Sequence, residues 1–123
     1  MRFLSMIRVN ENSGMQPSEQ LIGDMHRLIE EMTREGVLLD TAGLRPSADG
    51  ARVKLRGGKT SVVDGPFAES KEVIGGFAIL QADSMAQAIE LTRRFLHVHG
   101  PEWELECEVR QMEEPETGAC RAA

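Results

Sequence analysis

A chain of 123 residues, 41% hydrophobic and 28% charged, fits one soluble domain around one core. Its formal charge of −6 argues against general binding to nucleic acid or to an anionic membrane. No apolar run approaches the ~20 residues needed to span a bilayer, and Met1 to Val9 is interrupted too soon for a signal peptide, so a cytoplasmic protein is expected.

Residues 2–9 read as a strand. Phe3, Ile7 and Val9 share one side and Leu4 and Met6 the other, so both sides need cover. A polar loop follows. Leu21, Ile22, Met25, Leu28, Ile29 and Met32 then repeat at helical spacing over 18–35, with Pro17 and Ser18 as start signals and Gly36 as the stop. Residues 37–45 resume as a strand, and Pro46 to Gly50 makes a turn. Segments 51–56 and 59–63 flank Gly57-Gly58, a pair that suits a tight hairpin. Residues 73–80 form a further strand, apolar on both sides.

Ser84 and Gln87 form a capping-box pattern that opens a second helix. Its apolar face is expected at Met85, Ala88, Ile89, Thr92, Phe95 and Leu96. Gly100-Pro101 ends it. Over 104–112, Leu105, Cys107 and Val109 alternate with charged residues, as in an edge strand. Cys107 reads as a small core hydrophobe. Residues 1–112 thus form a single domain, and 113–123 a disordered polar tail.

The order β-α-β-(hairpin)-β-α-β is the ferredoxin-like βαββαβ arrangement, α+β in class, with an inserted β-hairpin. Two helices cover only one side of a four-stranded sheet. The apolar residues on the other side call for a second copy, so a homodimer packed sheet to sheet is expected.

Between the hairpin and the 73–80 strand runs Asp64-Gly65-Pro66-Phe67-Ala68-Glu69-Ser70-Lys71-Glu72, with Gly75-Gly76-Phe77 shortly after. This segment resembles the signature of DGPF-type proteins of the YCII-related family, and the resemblance extends over roughly 2–112. It implies a ferredoxin-like fold in a dimeric α+β barrel. It assigns no activity. Some enzymes of the wider superfamily place a His of a His-Asp pair early in the first helix, where Met25 and His26 compete for the position here. Some DGPF-type proteins are associated with alternative sigma factors, which implies a transcription-related protein partner.

Several residues carry two readings. Asp64 is either a clamp on the N–H of Phe67 or Ala68, or an acid–base group at the mouth of a cleft, with Lys71 or His26 assisting. Asp64, Pro66, Phe67, Glu69, Lys71 and Glu72 either form a solvated loop or line a polar pocket for a small polar metabolite. Arg8 and Arg110, with Glu106 and Glu108, either guard an edge or meet in the dimer cleft. Arg52, Lys54, Arg56 and Lys59 make the hairpin basic without interleaved aromatics, which speaks against nucleic acid.

His97-Val98-His99 lacks a third metal ligand at fixed spacing, and its histidines suit a helix C-terminus better. Gly58-Lys59-Thr60 lacks the first glycine of a phosphate loop. No metal and no cofactor is expected. The function expected is that of a small accessory, regulatory or ligand-binding protein. The alternative is a cofactor-free isomerase or lyase using Asp64.

Overall fold

The computed structural model describes residues 1–67 and 72–114. Strand β1 (Arg2–Val9) leads to helix α1 (Glu19–Arg34) and strand β2 (Leu38–Gly43). A 3-10 turn at Ser47–Asp49 precedes β3 (Ala51–Arg56) and β4 (Lys59–Asp64). Then come β5 (Val73–Gln81), α2 (Met85–His97) and β6 (Glu106–Gln111). One four-stranded sheet runs in the order β2-β5-β1-β6, and each neighbouring pair is antiparallel. β3 and β4 pair separately, as a hairpin inserted between β2 and β5. The fold is therefore α+β and ferredoxin-like, as the element order implied.

Local chemistry sets the ends of these elements. The Ser18 hydroxyl accepts from Leu21 N–H at 3.1 Å and closes the start of α1. At α2 the Ser84 hydroxyl accepts from Gln87 N–H at 3.1 Å. The Gln87 side chain returns a bond at 2.6 Å to the N–H of Asp83, one residue before the cap. Gly57 and Gly58 take φ of 55° and 77°, the left-handed pair that a two-residue hairpin turn requires.

Alternation along β1 decides what lies beneath the helices. Phe3, Ser5 and Ile7 pair with Leu80, Ala78 and Gly76 of β5 on the covered side. Leu28 and Met32 from α1, and Ala88 and Leu91 from α2, close over Phe3 and Leu80 to form the core. At the far end of β1 the register slips: Ile7 faces Gly76, yet Arg8 faces Ile74.

One expectation about α2 needs correction. Leu91 is buried with Ala88 and Thr92, whereas Met85 and Ile89 are 41% and 38% exposed. The helix is rolled so that the row Ala88, Leu91, Thr92 and Phe95 meets the sheet, and Met85 and Ile89 stand a row further round.

The side of the sheet away from the helices carries Leu4 opposite Ile79 and Met6 opposite Phe77. This is the apolar surface anticipated from the two-sided strands. The hairpin extends from the body with little packing against other elements. One of its sides presents Val53, Leu55 and Val62, each at least 65% exposed. Glu114, assigned to the tail, forms a two-pronged ion pair with Arg2 at 3.0 Å. The remainder of that tail, from 115 on, lies outside the described residues. No helix among the described residues is long and apolar enough to cross a membrane.

Candidate ligand-binding site

The Asp64 loop is built as a docked turn. Asp64 closes β4 opposite Ala51, and its side chain is exposed. No hydrogen bond joins its carboxylate to Phe67 N–H, and Ala68 lies outside the described residues. The turn is held instead by Gly65 N–H, which donates to Gly50 O at 2.9 Å. Gly65 packs directly on the main chain of Ser47. Phe67 lies under the Arg52 guanidinium, 3.9 Å from ring centre to Cζ, in cation–π contact. Beneath this stack the Ser47 N–H and hydroxyl both donate to the Glu11 carboxylate at 2.6 Å. The hydroxyl first, and the N–H second, hold the Glu11 carboxyl below its ordinary range.

A charged cluster occupies the open side of the sheet. Arg8 approaches Glu72 at 3.8 Å, Glu106 at 3.9 Å and Glu108 at 3.8 Å. Arg110 approaches Glu108 at 3.9 Å. Strand pairing of β1 with β6 places Arg8 opposite Glu106 and Met6 opposite Glu108, which gathers these groups. All are substantially solvated, so each pair contributes roughly 0–1 kcal/mol. Glu69 and Lys71 lie outside the described residues.

A cavity lies elsewhere, between the sheet and the two helices. It has a volume of about 300 Å³. Ser5, Ile7, Gly76 and Ala78 form its floor, Met25 and Ile29 one wall, and Thr92 and Phe95 another. Small residues at Ser5, Gly76 and Ala78 explain the space, because of the four floor residues Ile7 alone has a large side chain. The Ser5 and Thr92 hydroxyls lie 3.3 Å apart, and Thr92 also donates to Ala88 O at 3.0 Å. Cys107 completes the lining. Burial pushes its thiol up, the Ser5 hydroxyl opposes that shift, and the Glu106 carboxylate adds to it. Among the described residues the wall carries no carboxylate, ammonium, guanidinium or imidazole.

A second cavity of about 350 Å³ adjoins the first and shares Ile7, Val9, Met25 and Ile29 with it. His26, His99 and Trp103 stand on its wall. His99 Nδ1 lies 3.1 Å from Phe95 O and 3.3 Å from Leu96 O. Since carbonyls only accept, Nδ1 carries the proton. The His99 ring meets Phe95 and Trp103 edge to face at 5.1 and 5.8 Å. His99 thus caps the end of α2, as its position suggested. Among the described residues no three His, Cys, Asp or Glu side chains are grouped to hold a metal.

Of the residues singled out in the sequence, Met25 borders both cavities, Cys107 the inner one, and His26 and His99 the outer one. Asp64, Pro66, Phe67, Glu72, Arg8 and Arg110 line neither. Ser5, Thr92 and Trp103 were not anticipated. For the first two the signal was a lone hydroxyl in each inward apolar row, Ser5 between Phe3 and Ile7 and Thr92 between Ala88 and Phe95.

The family model of the YCII-related domain matches residues 1–103. The chain belongs to this YCII-related family. Over 78 residues this YCII-related protein is 31% identical to an uncharacterised protein of Rhizobium meliloti (strain 1021). That match covers 63% of this chain and 63% of the relative, so it spans less than two thirds of the curated protein. In the YCII-related chain Met25 faces both cavities, and its neighbour His26 stands only at the outer one.

Proposed function

We propose that this YCII-related protein is a homodimeric, non-covalent binding protein that takes a compact apolar molecule between its sheet and helices. The observation that carries the reading is the inner cavity, roomy yet walled almost wholly by apolar groups. An ionised ligand there would lose its hydration and find no opposite charge, which favours an uncharged guest over the small polar metabolite expected from the sequence. General acid–base work needs a titratable group within reach of the reacting atoms. The inner wall offers only the Cys107 thiol, and its burial favours the protonated form. Asp64 stands on the hairpin, outside both cavities. These placements support binding over an Asp64-based isomerase or lyase. A wider accessory or regulatory role with a transcription-related partner rests on the resemblance alone.

The homodimer reading is supported by the open side of the sheet. A two-fold contact must be complementary to itself. Leu4, Met6, Phe77 and Ile79 supply an apolar centre, and Arg8, Arg110, Glu106 and Glu108 supply both signs of charge at its edge.

The test is a fluorescence titration with 1-aminoanthracene, a neutral apolar probe. Saturable binding is expected for the native chain. It should be lost in Ala78→Leu, which fills the cavity floor, while circular dichroism shows a folded protein. Binding that Ala78→Leu leaves intact would count against this site.

A further inference from the structure

We infer that the two cavities together hold one elongated molecule, its apolar body passing Met25 into the inner cavity and its uncharged hydroxyl head lying between His26, His99 and Trp103. This rests on the binding reading above and names the ligand class. The cavities are neighbours, since Ile7, Val9, Met25 and Ile29 border both. Their walls differ in chemistry. Among the described residues the inner one has no charged group, whereas the outer one bears two imidazoles and an indole. A ligand matched to both is apolar at one end and hydrogen-bonding at the other.

The head is a donor rather than an anion. The proton of His99 is committed at Nδ1 to the carbonyls of Phe95 and Leu96. Nε2 of the neutral ring is then an acceptor, which suits an alcohol or phenol O–H. Glu102 and Glu104 flank Trp103 in the chain and are exposed. Their charge, and the net −6 of the whole, disfavour a carboxylate or phosphate head. Ile22, also on the outer wall, is 44% exposed, so this end opens to water, where a polar head remains solvated.

The protein carries its own reporter. Trp103 is the single tryptophan and there is no tyrosine, so intrinsic emission reads the outer cavity. The experiment titrates 1-octanol and octanoate at pH 8, above the ordinary imidazole range. Displacement of 1-aminoanthracene and the Trp103 emission maximum are followed together. Octanol is expected to displace the probe and shift Trp103, and octanoate to bind at least tenfold more weakly. His99→Phe retains the ring and removes Nε2, so octanol should weaken by roughly three- to tenfold, the loss of one neutral hydrogen bond.

Octanol that displaces the probe without moving Trp103, or octanoate that binds as tightly, overturns this inference and leaves the inner site standing. A native protein that fails to bind the probe overturns both. Should His99→Phe not fold, the octanol-to-octanoate ratio and the Trp103 shift of the native chain decide the matter.

Discussion

A Cβ placed on Gly65 would stand 1.7 Å from the carbonyl oxygen of Ser47. The most distinctive segment of the sequence is thus a docking surface, pressed against a turn that Glu11 holds from below. Gly65→Ala should destabilise the chain by about 3 kcal/mol, since a backbone contact of this kind yields only by moving the main chain. The urea midpoint measures it. Gly43→Ala is the control, because a Cβ there meets nothing within 4 Å and φ is not positive.

Glu11 makes a pH-dependent contribution. Its carboxyl is lowered in the fold by the Ser47 hydroxyl and N–H. A folded value below the unfolded one gives stability that is present above the unfolded value and lost as pH falls through the folded value. Glu11→Gln should therefore melt a few degrees below the native chain at pH 7. The two melting curves should converge below about pH 4.3, the ordinary carboxylate value. A gap that does not narrow as pH falls below the ordinary carboxylate value would show that charge at Glu11 is not the cause.

Cys107 should be slow to react. Its thiol is pushed up by burial, and the Ser5 hydroxyl partly offsets this. In a Cys120→Ser background, Ellman's reagent at pH 8 should label the folded chain far more slowly than the urea-unfolded one. Ser5→Ala should slow it further. Faster labelling in Ser5→Ala would mean that the hydroxyl shields the sulfur instead of assisting its ionisation.

Met6 lies on the open side of the sheet, opposite Phe77 and Glu108 and away from both cavities. Met6→Lys should halve the mass seen in sedimentation equilibrium, because it sets a charge in the apolar centre of the proposed contact on both protomers. A native chain that already sediments as one subunit at micromolar concentration would dispose of the dimer.

The hairpin should be energetically detached. Val53→Thr with Leu55→Thr is expected to change stability by less than about 0.5 kcal/mol, as these side chains are exposed and the arm packs little on the body. A larger loss of urea stability would reveal a surface that covers them in solution.

Features set by neighbours in the chain were legible in the sequence. Ser18 and Gly36 marked the first helix, Gly57-Gly58 the hairpin, and alternation along 2–9 both sides of the central strand. Even the meeting of Arg8 with Glu106 and Glu108 followed from strand parity. What depends on distant packing was not legible. The segment from Asp64 invited a site because its residues are unusual, but Gly65 is needed for Ser47, a contact no local pattern displays. The cavity comes from volume that Ser5, Gly76 and Ala78 leave unfilled, and small residues in a strand look like weak strand formers until their facing partners are known. The roll of α2 turned on which of two adjacent rows met the sheet, and helical spacing admitted both.

The slip between Ile7 and Arg8 makes the length of the Gly75-Gly76 pair an orientation device. The spare residue of β5 reverses the parity of everything before it, and so Ile74 emerges on the same side as Arg8, across β1 from the acidic strand. Straight pairing of both glycines, with no slip, would send Ile74 to the helix side and Val73 to the sheet's bare side. A branched hydrophobe would then turn toward the helices, while Arg8 lost its greasy neighbour: one irregular step keeps two surfaces in order.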